Sequence, residues 1–232
     1  MGYMTIRYEN TFTILLFIIG LIITIWAQAK VNNAYNKFRK VRCTKGLSGF
    51  EAARHILDKY GYNDVHIVET RGTLTDHYDP TRNVVRLSKD IFHGESIASI
   101  AVAAHEVGHV IQHKKGYAFM RIRSFLVPVV NLISTIGYFV MFVSIFAGIT
   151  TYLMFGIIMI LAALAFQLVT LPVEFDASKR ANEELFALGI IDPSEATKTK
   201  EMLQAAAFTY VASLITTILN LLRLILMTRN RD

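Results

Sequence analysis

The sequence predicts a mainly α protein, with four membrane-crossing helices and a small α+β unit associated with the membrane. Three observations lead there. Of the 232 residues, 53% are hydrophobic and 18% charged, and the apolar ones gather into long charge-free runs. One run, Phe125 to Pro172, extends for 48 residues. Between the runs lies a basic, polar stretch in which helical and strand periodicities alternate.

A membrane helix needs about 20 apolar residues to cross about 30 Å of hydrocarbon. Thr11 to Ala29 meets that need without a charge and forms the first span. Ala27-Gln28-Ala29 has the small residues of a signal cleavage site. The apolar run is longer than a usual signal core, however, and Arg7 before it is offset by Glu9, so a retained anchor is expected. As one helix, Phe125 to Pro172 would be about 72 Å long, so it must fold into two spans. Their turn is expected at Ala147-Gly148-Ile149-Thr150-Thr151. A fourth span runs from about Ala205 to Met227, with Arg223 near its end able to snorkel. The chain thus divides into an anchor (1–29), a soluble segment (30–124), a transmembrane hairpin (125–172), a polar helix (173–204) and a closing span with its tail (205–232).

Charge sets the expected orientation. The net charge is +6, and 20 of the 24 Lys and Arg fall in the two segments between spans. Lys30, Lys37, Arg39, Lys40, Arg42 and Lys45 follow the first span, and Lys114, Lys115, Arg121 and Arg123 precede the second. By the positive-inside rule both segments are cytoplasmic in a multi-pass protein of the cell membrane. The basic residues flank apolar spans and form no aromatic-interleaved patch, which points to the lipid bilayer as partner and away from nucleic acid. The single cysteine, Cys43, allows neither an internal disulfide nor a CxxC metal site.

The soluble segment carries local signals in order. Residues 30–46 continue the first helix as a polar, basic extension. Ser48-Gly49-Phe50-Glu51 is a capping box opening a helix whose apolar face is Ala52, Ala53, Ile56, Leu57 and Tyr60, and Gly61 stops it. Val65 to Glu69 alternates as a strand. Leu74 to Ser88 is a strand, turn, strand, with Asp79-Pro80 and Asn83 supplying the turn. From Glu95 to about Lys115 the pattern is helical, ending at Gly116.

That last helix contains His105-Glu106-Val107-Gly108-His109. Residues four apart on a helix lie about 40° apart around its axis, so two imidazoles can face one ion, a spacing that suits Zn²⁺. Glu106, one step round, is placed to act as a general base. This is the HExxH arrangement of zinc proteases. Gly108, unfavourable mid-helix by about 1 kcal/mol, predicts the close approach of another backbone. His113 lies about 12 Å along the axis from His105, too far to share an ion, and is expected to hydrogen-bond elsewhere. Glu174, in Pro172-Val173-Glu174-Phe175-Asp176-Ala177-Ser178, is expected to open a helix after the third span, with Pro172 as its start signal. Two roles are open to it: an electrostatic cap at a helix N-terminus, or the third metal ligand.

Taken together, His105-Glu106-Val107-Gly108-His109, Leu74-Thr75-Asp76-His77-Tyr78-Asp79-Pro80 and Glu174-Phe175-Asp176-Ala177-Ser178 resemble the YugP-type membrane zinc metallopeptidases of bacteria, over nearly the whole chain. They are similar, more distantly, to the Ste24/HtpX-like membrane proteases. The resemblance implies a zincin-like, HExxH-plus-Glu (gluzincin-like) unit with His105, His109 and Glu174 as ligands of Zn²⁺ and Glu106 as general base. It also implies an endopeptidase acting on peptides or membrane proteins. The HtpX-like proteins place an Asp four residues after the ligand Glu, to support a zinc-bound His. Here that position is Ser178, and Asp176 lies two residues after Glu174. His77, Tyr78 and Arg180 are candidate oxyanion donors, and the predicted hairpin could hold an extended peptide by β-augmentation. The competing reading is a non-catalytic membrane scaffold or adaptor with structural zinc. Glu106 argues against it, because a structural site needs no base and is usually closed by four protein ligands.

Overall fold

The computed structural model describes the backbone of residues 2–146 and 152–229, so the turn expected at 147–151 lies outside the described residues. The elements are α1 (Gly2–Phe38), α2 (Gly49–Lys59), β1 (His66–Thr70), β2 (His77–Asp79), β3 (Val84–Ser88), α3 (Lys89–Phe92), α4 (Ile97–Lys114), α5 (Ala118–Phe146), α6 (Tyr152–Ala187) and α7 (Pro193–Arg229). Among the described residues, four helices are long and apolar enough to cross a membrane, lying within α1, α5, α6 and α7. The fold is mainly α with a small α+β unit, and the protein is a multi-pass membrane protein.

The chain separates into two units. The first gathers Met1–Gln28, Ile122–Leu171 and Thr209–Asp232. Its helices turn large apolar side chains outward, with Phe125, Phe139 and Phe142 all exposed, as hydrocarbon solvent allows. Its helix contacts use small and polar groups: Thr24 Oγ1 lies 3.3 Å from Thr216 Oγ1, and Gln167 Nε2 donates to Ser213 Oγ at 3.1 Å.

The second unit comprises Ala29–Arg121 and Pro172–Phe208. Its sheet runs in the order β1-β3-β2, with β1 parallel to β3 and β2 antiparallel to it. The capping box forms as expected: Ser48 N–H donates to Glu51 Oε2 at 2.8 Å, and Glu51 N–H donates to Ser48 Oγ at 3.2 Å. Gly61 ends α2 with φ of 69°, a left-handed conformation that glycine adopts without a Cβ clash. Helix α2 packs on α4, burying Ile56 and Leu57 against a core that includes Leu87, Ile91, Ile97, Ile100 and Ile111. The segment after α1 is stitched to the start of α4 by Cys43 N–H to Glu95 O and Ile97 N–H to Val41 O, each 2.8 Å. Helix α4 is therefore surrounded.

One expectation is corrected. Glu174 does not open a helix at Pro172, because α6 runs unbroken from Tyr152 to Ala187 with Pro172 inside it. Proline removes one N–H from the ladder, and helices of membrane proteins tolerate this where neighbouring groups satisfy the freed carbonyl. The electrostatic-cap role for Glu174 falls with that correction.

Candidate metal centre

Helix α4 is built from small and β-branched residues that let neighbours approach on every side. Its N-cap is Ser96, whose hydroxyl accepts from Ser99 N–H at 3.1 Å. Ile97, Ala98, Ile100, Ala101, Ala103 and Val107 are fully buried. Burial extends to its polar residues: Glu106 is 8% exposed, His109 6% and Gln112 0%. Such groups are costly in a core unless each has partners.

The partners come from α6. A Cβ built on Gly108 would stand 2.6 Å from the carbonyl oxygen of Ala177, so only glycine lets the two backbones come this close. The expected close approach at Gly108 is thus met, and it carries Glu174 to the histidines. His105 Nε2 lies 3.2 Å, and His109 Nε2 3.6 Å, from the same Glu174 Oε2. The three ligand atoms all lie within 4.8 Å of one another, a group that could hold a metal ion. In a tetrahedron with bonds of about 2.1 Å, ligand atoms stand about 3.4 Å apart, the spacing that the two measured distances bracket. Two imidazole nitrogens and one carboxylate oxygen, with no thiol, fit zinc in a site of three protein ligands. Burial alone would raise the Glu174 carboxyl, but its contacts with His105 and His109 outweigh burial and hold it below the usual carboxylate range.

Both rings are braced from behind. His105 Nδ1 lies 3.2 Å from Ser178 Oγ, and His109 Nδ1 lies 3.0 Å from Gln112 Oε1. Gln112 Nε2 donates to Val173 O at 2.7 Å and to Asp176 Oδ2 at 2.8 Å, and Asp176 in turn accepts from Arg180 Nε at 2.5 Å. Ser178 therefore makes the imidazole contact that the HtpX-like pattern assigns to an Asp, while Asp176 reaches the other histidine through Gln112. Sequence reading missed Gln112. Its one signal was a lone amide three residues after His109, on the helix face that carries both histidines.

Glu106 stands outside the donor group. Burial pushes its carboxyl up to about 7, assisted by the charges of Glu174 and Asp76 and opposed by His105 and a hydrogen bond from Tyr78 N–H. That N–H belongs to β2, so the strand edge not paired with β3 borders Glu106. His113 lies outside the group and meets the Tyr78 hydroxyl at 2.9 Å through Nδ1, the hydrogen-bonding role expected of it. The three candidate oxyanion donors are all engaged: His77 Nδ1 with Thr75 O at 2.8 Å, Tyr78 with His113, and Arg180 with Asp176.

A helical membrane protein with a His, His, Glu group that could hold a metal ion fits a class of membrane metalloproteins. The comparisons make this specific. The model of a family described as "Putative neutral zinc metallopeptidase" matches residues 13–229, and the chain belongs to that family. It is also 43% identical over 217 residues to "Putative membrane protease YugP" of Bacillus subtilis (strain 168), covering 94% of this chain and 96% of that one. No solved structure matches.

Proposed function

We propose that this protein is a membrane-embedded, zinc-dependent endopeptidase in which His105, His109 and Glu174 hold the ion and Glu106 is the general base. The carrying observation is the buried Glu106 carboxyl, next to His105 on α4 yet outside the donor group. A structural metal site has no use for such a group. A bound zinc would supply Lewis acidity toward a water and the scissile carbonyl. Glu106 accepts the proton of the attacking water on its carboxylate and delivers it to the leaving amine. The Tyr78 N–H orients that carboxylate. The open edge of β2 alongside suits an extended peptide bound by strand addition, and peptides or membrane proteins are the substrates. The excess of Lys and Arg in the segments around the site supports a cytoplasmic catalytic side.

Replacing Glu106 with Gln tests the assignment. The purified variant is expected to hold zinc as the wild type does while cleavage of unfolded protein substrates falls by about 10²–10⁴. Wild-type cleavage rates in a metal-replete Glu106→Gln preparation would overturn the role. Stoichiometric zinc with no cleavage by the wild type would favour the scaffold reading.

A further inference from the structure

Gln112 is completely buried, so each polar atom of its amide needs a match: two N–H donors and one carbonyl acceptor. Nε2 faces the Val173 carbonyl at 2.7 Å and the Asp176 carboxylate at 2.8 Å. A carbonyl oxygen only accepts, and Asp176 Oδ2 is already the acceptor of the Arg180 Nε hydrogen, 2.5 Å away, so it faces Gln112 as an acceptor too. Both amide hydrogens are therefore committed. Turning the amide over would set its oxygen against two acceptors, so its orientation is fixed by its surroundings. Oε1 must then face His109 Nδ1, 3.0 Å away. Because that oxygen cannot donate, the hydrogen between them belongs to the imidazole.

A neutral imidazole that keeps its hydrogen on Nδ1 has its lone pair on Nε2, the atom directed at Glu174. We propose that Gln112 is a positioning residue that locks His109 in the Nδ1–H tautomer and aims Nε2 at the ion. Through Val173, one residue before Glu174, the same amide ties the ligand-bearing turn of α6 to α4. One side chain thus sets both the tautomer of one ligand and the distance to another. His105 is held differently: its partner is the Ser178 hydroxyl, which can donate or accept, so that contact dictates no tautomer. The inference rests on the reading of His109 as a ligand.

The test is zinc affinity of the full-length protein in detergent, by competition with a chromophoric chelator, alongside the visible spectrum of the cobalt-substituted protein. Gln112→Met, close in volume but without the amide, is expected to bind zinc about 10–100-fold more weakly and to shift the cobalt bands. Gln112→Glu places a carboxylate against Asp176 and is expected to weaken binding as much. Adding Asp176→Asn replaces one of the two opposing acceptors with a donor, and affinity should rise measurably above that of Gln112→Glu alone. A Gln112→Met protein with wild-type affinity and an unchanged cobalt spectrum would overturn the positioning role. If Gln112→Met does not fold, a Gln112→Glu/Asp176→Asn pair no tighter than Gln112→Glu alone overturns it instead. Failure of the underlying reading looks different: a His109→Ala protein would keep wild-type zinc affinity.

Discussion

The spanning unit and the site-bearing unit point their large apolar residues in opposite directions. In the first, Leu132 is 61% exposed and Phe125 71%, while polar pairs such as Thr24 with Thr216 join its helices. In the second, Ile56, Ile97 and Ile100 are fully buried, and inward polar groups that include Gln112 and Ser178 form a network around His105, His109 and Glu174. The difference teaches what each solvent rewards. Hydrocarbon gives no premium for hiding a leucine, so packing there rests on small and hydrogen-bonding residues. Water rewards burying apolar area at about 25 cal/mol per Å², and only a core made that way can fix buried polar groups in place.

The largest effect that sharpens this contrast comes from placing one charge on each exterior. Ile136 is 51% exposed in the spanning unit and Leu74 37% exposed in the other. A lysine near the middle of a span costs about 2.5–3.5 kcal/mol, whereas one on a water-facing loop costs almost nothing. Ile136→Lys is therefore expected to lower the yield of membrane-integrated protein sharply, with Leu74→Lys at the wild-type level. Equal yields for the two variants would mean that the exposed face of α5 does not meet lipid.

A smaller effect probes the close approach within the second unit. Alanine at 108 would gain about 1 kcal/mol of helix propensity over glycine. Against that, its Cβ would stand 2.6 Å from the Ala177 carbonyl oxygen and 3.1 Å from its Cα, backbone atoms that cannot swing aside. Overpacking of this kind costs about 1–3 kcal/mol, so Gly108→Ala is expected to lose stability on balance and, by parting α4 from α6, to weaken zinc retention on dialysis. A variant more stable than the wild type with undiminished zinc would show that the two helices do not meet as described.

How much of this was legible depended on whether the cause was local. The spans followed from run length and absence of charge, the α2 start from Ser48 and Glu51, and the approach at Gly108 from a glycine out of place in a helix. Pro172 misled because its start-signal meaning derives from helices in water, while α6 carries it through from an apolar stretch. The parallel pairing of β1 with β3 was equally hidden, since β2 lies between them in sequence and suggests only a hairpin. Gln112 was missed altogether. Its partners, Val173 and Asp176, lie more than sixty residues away, and nothing local to α4 announces them.

The smallest effect belongs to the most local feature, the first turn of α2. Hydrogen bonds from the Ser48 backbone N–H and hydroxyl hold the exposed Glu51 carboxyl below its ordinary value. A depressed carboxylate contributes stability above its unfolded value of about 4.3, and that contribution is lost as pH falls through the folded value. Solvent exposure keeps the whole effect below about 1 kcal/mol. Hydrogen exchange of the amides at 49–53, corrected for intrinsic rates, should therefore quicken about two- to fivefold between pH 6 and pH 3. Glutamine at 51 still accepts from the Ser48 N–H, so Glu51→Gln should keep protection at pH 6 and remove its pH dependence. Glu51→Ala, with no acceptor, should exchange at the faster rate at both pH values. A pH dependence that survives in Glu51→Gln would assign the titration to another group.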